Sequence, residues 1–113
     1  MRVVRGPDAA DTAMNSLCGQ SFVVSPHADR VGARLSGAIV EGGGEAPTSG
    51  MVAGAIQLPP DGVPVVLLAD HAVTGGYRVA AVVIDADVPV LAQSRPGTVT
   101  RFLEVSCQEA RAA

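Results

Sequence analysis

From Gly62 to Val105 every apolar run is short and is broken by Gly, Pro or Asp before it can complete three helical turns. The run Val65–Ala69 meets Asp70, Val79–Ile84 follows Thr74-Gly75-Gly76-Tyr77, and the last apolar stretch follows Arg95-Pro96-Gly97. Val and Ile dominate these runs, and β-branched side chains suit a pleated, half-buried surface. Such a chain is restricted to a compact, many-turned β unit. Its acid at a strand end, Asp70, stands where a β scaffold usually presents chemistry.

The rest of the chain continues the pattern. Arg2–Arg5, Gln20–Val24, Arg30–Ser36 and Met51–Leu58 read as strands, the third with Val31, Ala33 and Leu35 on one face. Pro59-Pro60-Asp61-Gly62 is a turn in which Pro fixes φ and Gly accepts a positive one. Two segments read as helix: Asp8–Cys18, with Ala10, Met14, Leu17 and Cys18 on one stripe, and the acid-capped Asp87–Gln93. Glu41–Gly50, with three consecutive glycines, reads as a mobile loop, and Thr74–Tyr77 as a tight turn. Gln108–Ala113 reads as a frayed helical turn. Seven or eight short strands with one or two short helices make a mainly β sandwich or closed barrel, a single domain over residues 1–113.

Composition removes several functions. Of 113 residues, 48% are hydrophobic but only 3% aromatic, so the core is aliphatic. Net charge is −3 and the eight basic residues, all Arg, are scattered singly. Nucleic-acid binding needs clustered cations or stacking rings, so it is excluded. No apolar run reaches the roughly 20 residues of a membrane helix, and no signal peptide stands at the start. The expectation is a soluble cytoplasmic chain with Cys18 and Cys107 reduced. His27 and His71 have no third ligand at metal spacing, so no metal site is expected. Nucleotide-loop and nucleophile-elbow motifs do not occur.

The ordered runs Arg2-Val3-Val4 with Gly6-Pro7, Ser25-Pro26 through Gly37, Gly54-Ala55-Ile56-Gln57-Leu58-Pro59-Pro60-Asp61-Gly62, Val66 through Tyr77 and Ala86 through Gly97 resemble the family of allophanate hydrolase subunit 2, the 5-oxoprolinase C-subunit and KipA. Departures include Arg5 and Arg78 where the family commonly has Pro, and Val31 where it has Met. The resemblance covers the C-terminal half of the longer family chains. It implies a cyclophilin-like closed β-barrel and a carboxyltransferase-type component acting on urea, allophanate, 5-oxoproline or a similar small amide. It further implies a sister subunit like KipI or allophanate hydrolase subunit 1, an N-terminal half from elsewhere, and a homo- or hetero-oligomer. ATP or biotin would serve the assembled complex, with no cofactor bound by this chain itself. The rival reading is a KipA-like, non-catalytic interaction module or an inactive remnant.

Asp70 is the candidate catalytic acid, able to hold an amide N–H or accept a proton, or else an Asx-turn residue. Thr74, Gly75, Gly76 and Tyr77 are candidate substrate-binding residues because bare glycines admit a ligand close to the backbone, though a plain hairpin bend needs the same residues. Gln57 offers a side-chain amide from a strand, or points to solvent. Asp29 and Arg30 make either a salt-bridged turn or a carboxylate site, for which the planar Arg fork is suited.

Overall fold

A computed structural model describes every residue except Ala9 and His27, so the expectations for His27 and for Ala9 lie outside the described residues. Among the described residues the chain forms nine strands and three short helices. In chain order these are β1 (Arg2–Arg5), α1 (Asp11–Cys18), β2 (Ser21–Val24), β3 (Gly32–Ser36), β4 (Glu45–Gly50) and β5 (Ala55–Leu58). Then come β6 (Val65–Leu67), β7 (Thr74–Val83), α2 (Val88–Ala92), β8 (Val99–Arg101), β9 (Leu103–Glu104) and α3 (Cys107–Ala112).

The strands form one path, β8-β2-β3-β6-β5-β7-β1-β9, with β4 paired to β7 off that path. The two ends of the path are one piece of chain. Residues 99–101 pair with β2, and 103–104 pair in parallel with β1. The Met1 amine donates to the Arg101 carbonyl at 2.9 Å, and the Leu103 N–H to the Met1 carbonyl at 2.9 Å. Phe102, at the crossing, turns inward and meets Phe22 with ring centroids 5.7 Å apart. The sheet is thereby a nearly closed barrel.

Alternation fills it. Phe22 and Val24 of β2, Ala33 and Leu35 of β3, Ile56 and Leu58 of β5 and Val66 of β6 are all buried in one cluster. Helix α1 adds Ala13, Met14 and Leu17 to that cluster. It starts at Asp11, later than the sequence suggests, because Gly6 and Asp8 are still bonded to the sheet. The Gly6 N–H donates to the Ala80 carbonyl at 2.9 Å, and the Asp8 carboxylate accepts from the Val79 N–H at 2.9 Å.

Four expectations are corrected. Glu41–Gly50 is not all loop, since Glu45–Gly50 is β4, and Thr74–Tyr77 is not a turn but the start of β7. The ten-residue β7 projects past the barrel strands, and β4 supplies its partner groups, with Ser49 opposite Gly75 and Gly50 opposite Thr74. Strand β5 begins only at Ala55, because Gly54 has φ of 91° and breaks extended structure before it. Among the described residues there are three helices rather than one or two, because the expected frayed turn at Gln108–Ala113 is a formed helix fixed by a reciprocal Ser106–Glu109 capping box. No helix among the described residues is long and apolar enough to cross a membrane.

Candidate functional site

The expected site residues fall into two groups, one around the β6–β7 connection and one on β5 and the start of β7. The first is Asp29, Arg30 and Asp70. Chain 29–31 enters β3, and its partner is the chain leaving β6: the Leu68 N–H donates to the Val31 carbonyl at 3.0 Å and the Asp70 N–H to the Arg30 carbonyl at 2.9 Å. These bonds extend the β3–β6 ladder past the strand ends. They place the two side chains together, and Arg30 Nε lies 3.0 Å from Asp70 Oδ2. Leu68–His71 is a turn closed by the His71 N–H on the Leu68 carbonyl at 3.1 Å. The Asp70 carboxylate therefore faces an arginine across the turn. Both groups are largely solvated, the side chains 82% and 54% exposed, so each remains open to a ligand.

Asp29 has a different job. Its Oδ1 accepts from the Val31 N–H at 2.8 Å and the Gly32 N–H at 3.1 Å, an Asx turn that sets the entry to β3. It thus aims Arg30.

Beside this pair opens a cavity of about 490 Å³. Its base is apolar, from Ala33, Leu68 and Leu91, all buried. One wall comes from α2 and the chain after it, Ala92, Ser94 and Pro96, while Asp29 and Arg30 form the rim. An apolar recess with a few convergent polar groups is the usual form of a small-molecule site. Leu68, Leu91, Ala92, Ser94 and Pro96 were not picked out as site residues, although the Ala86–Gly97 run contains four of them.

The second group is Gln57 with Thr74, Gly75, Gly76 and Tyr77. Gln57 lies on β5 opposite Val79, and its Nε2 is 3.7 Å from Met51 Sδ. Gly75 packs against that amide and Met51; a Cβ on Gly75 would overlap the Gln57 Nε2. The close approach here is to the end of a flexible side chain, and backbone sign does not demand glycine, since neither Gly75 nor Gly76 has a positive φ. Thr74 and Tyr77 are exposed on the β4–β7 arm. The structure brings Gln57 and Gly75 together, and it does not bring this group to the cavity lined by Arg30.

Charge elsewhere is organised into ion pairs. The Asp87 carboxylate is held well below its ordinary range, to about 2, chiefly by hydrogen bonds from the Arg2 guanidinium. The Asp61 carboxyl is lowered by the Val63 N–H, then by Arg34, despite opposing desolvation. Asp87 does not cap α2 with its side chain as expected, because Arg2 occupies it. Among the described residues no group of three His, Cys, Asp or Glu could hold a metal ion.

Known proteins share this architecture. The family described as carboxyltransferase domain, subdomain A and B, matches residues 1–104. The chain is 41% identical over 91 residues to the C-subunit of 5-oxoprolinase from Haemophilus influenzae, covering 79% of this chain and 29% of that protein. It is 31% identical over 115 aligned positions to the C-subunit of 5-oxoprolinase from Escherichia coli, covering 97% of this chain and 37% of that protein. The crystal structure of Kluyveromyces lactis urea carboxylase superposes with a TM-score of 0.89 at 25% identity, covering 98% of this chain and 11% of that one. The chain thus spans about a third of the length of the curated relatives it matches. On the family match and on these relatives, the chain belongs to the carboxyltransferase domain, subdomain A and B, family.

Proposed function

We propose that this chain is a carboxyltransferase-type component of an amide-processing complex, acting with a sister subunit and the remainder of a family-length protein on 5-oxoproline, urea, allophanate or a similar small amide. The observation that carries this reading is that Arg30, which lines an apolar-based cavity, is paired with Asp70 just outside that lining, in a chain of this family. A guanidinium presents planar N–H donors to a carbonyl or carboxylate oxygen. A carboxylate 3.0 Å away accepts an amide N–H or a proton. Together they complement the two ends of an amide, with Arg30 polarising the oxygen and Asp70 holding the nitrogen. Substrate would displace water from the pair and seat its carbon framework on Leu68 and Leu91. Gln57 and Thr74–Tyr77, which do not line the cavity, would face the partner rather than the substrate. ATP or biotin chemistry would belong to the assembled complex, in the cytoplasm, and not to this chain.

A second reading, a non-catalytic interaction module, is favoured by one feature. Val52, Val73 and Tyr77 are exposed on or near the β4–β7 arm, with Val73 80% exposed. Apolar surface of this kind attracts a partner chain. One experiment separates the two. The chain is co-expressed with a sister subunit and the rest of a family-length protein, and ATP-dependent turnover of 5-oxoproline and of urea is measured. The enzyme reading expects turnover that Arg30→Ala and Asp70→Asn each reduce by about a hundredfold, in line with loss of a positioned acid–base group. Assembly without turnover, or turnover indifferent to both substitutions, leaves the interaction module.

A further inference from the structure

One wall of the cavity is supplied by α2, a helix of only five residues, Val88–Ala92. So short a helix has no stability of its own and stays where tertiary contacts hold it. Its far end is held at β2, where the Gly97 N–H donates to the Val24 carbonyl at 2.8 Å and the Val24 N–H to the Thr98 carbonyl at 2.9 Å. Its near end is held by the Asp87 and Val88 N–H groups, which donate to the Ile84 carbonyl at 2.9 and 3.2 Å, and by one ion pair, Arg2 with Asp87.

Arg2 engages the residue preceding α2 three ways. Its backbone N–H donates to Asp87 Oδ2 at 2.8 Å, its Nε donates to Oδ2 at 3.0 Å and its Nη2 to Oδ1 at 2.7 Å. The Arg2 carbonyl accepts from the Ile84 N–H at 3.1 Å, so the chain just before α2 is bonded to β1 as well. The Asp87 carbonyl in turn accepts from the Val90 N–H at 3.1 Å and the Leu91 N–H at 3.3 Å. A direct line of bonds therefore runs from β1 through Asp87 to Leu91, whose side chain is 2% exposed and forms part of the cavity base. The Asp87 side chain is only 14% exposed, so the pair is shielded on the carboxylate side, where two-pronged Arg–carboxylate geometry is strongest.

We infer that Arg2 and Asp87 are a positioning pair for the cavity: they fix the angle of α2, and with it the placement of Leu91, Ala92 and Ser94 relative to Arg30. Neither residue lines the cavity, and both act through α2. The local claim stands on the bonds above, while its bearing on turnover rests on the reading of the cavity as the substrate site.

Two variants test it, Asp87→Ala and Arg2→Met, the second leaving the backbone N–H bond to Asp87 in place as a milder perturbation should the first fail to fold. Amide hydrogen exchange is read residue by residue in the purified chain. Protection at Leu91 and Ser94 should fall at least about tenfold while Val66 and Val83, in the barrel, change less than about twofold, since local opening is then uncoupled from global unfolding. A purely stabilising ion pair would lower protection uniformly in the amides that exchange by global unfolding. Uniform loss, or unchanged protection at Leu91 and Ser94, overturns the inference. In the reconstituted complex, KM for the amide should rise about tenfold with kcat within about twofold, a loss of uniform binding. Asp87→Asn, which keeps an acceptor for the Arg2 N–H, should recover part of both effects. Selective loosening of α2 with KM unchanged leaves the positioning pair standing and removes the cavity from the substrate site.

Discussion

Gly54→Ala is expected to be among the costliest single-methyl additions in this chain. Gly54 has φ of 91°, and its backbone is bonded on both sides: its N–H to the Leu67 carbonyl at 2.7 Å, and its carbonyl from the Val83 N–H at 2.8 Å. An L residue forced to positive φ costs about 1–2 kcal/mol. A Cβ at this position would stand 2.6 Å from the Val83 carbonyl oxygen and 3.1 Å from Val88 Cγ2. The first neighbour is backbone at the end of β7, held in the sheet, which cannot rotate away. Forced overpacking of this kind adds about 1–3 kcal/mol. The sum is about 2–5 kcal/mol, a large part of the roughly 5–15 kcal/mol that holds a domain folded. Gly97→Ala isolates the first contribution, because Gly97 has φ of 88° and nothing within 4 Å of an added Cβ. It should cost only about 1–2 kcal/mol. Urea denaturation followed by far-ultraviolet circular dichroism measures both, and each kcal/mol lowers Tm by about 4–8 °C at this chain length. If the two variants lose the same stability, the claim that packing against Val83 adds to the conformational cost is refuted.

Other substitutions have smaller, directed effects. Asp70→Asn should change stability by less than about 1 kcal/mol in urea melts, since it removes only a solvated ion pair and leaves the backbone bond to Arg30 in place. A larger loss would mean that Asp70 is structural. Asp87 is depressed from 3.8 to about 2 in the folded chain, so its contribution is complete above the ordinary value and is lost as pH falls through about 2. Asp87→Asn should therefore flatten the stability–pH curve between these values by about 1 kcal/mol, allowing for screening, and an unchanged slope would contradict the pairing. Gly75→Ala should cost less than about 1 kcal/mol because the group in its way is the end of a flexible side chain, Gln57 Nε2. The Gln57 side-chain amide resonances should shift, and a loss comparable to Gly54→Ala would show that Gln57 cannot move.

What was legible in the sequence is what burial writes into it. Strands β2 and β3 alternate buried apolar side chains with half-buried or exposed neighbours, β5 buries all but Gln57, and the expected segments contain them. Strand β4 carries no such signal. Its residues Glu45–Gly50 are mostly exposed, and it exists because β7 offers it backbone partners. Thr74–Gly76 failed as a turn for the same reason, since Gly-rich chain next to a free strand edge is usable as strand without positive φ. Helix α3 buries no residue, so the apolar stripe that marked α1 had no counterpart; Gln108–Ala113 reads only as a frayed helical turn, and it is the Ser106–Glu109 capping box that fixes it. At the site, Asp29, Arg30 and Asp70 could be nominated singly. The Arg30–Asp70 pair could not, because it depends on the ladder between the chain entering β3 and the chain leaving β6. The cavity was beyond reach too, as its walls come from three separate segments.

The cavity beside Arg30 and Asp70 is, on the reading proposed, where a small amide binds. Backbone amide chemical shifts of the isotope-labelled chain, titrated with 5-oxoproline and separately with urea, test this directly. Saturable shifts confined to residues 28–33, 68–70 and 91–96, and abolished by Arg30→Ala, are the predicted result. Shifts centred instead on Gln57 and Thr74–Tyr77, or shifts that survive Arg30→Ala unchanged, would contradict it.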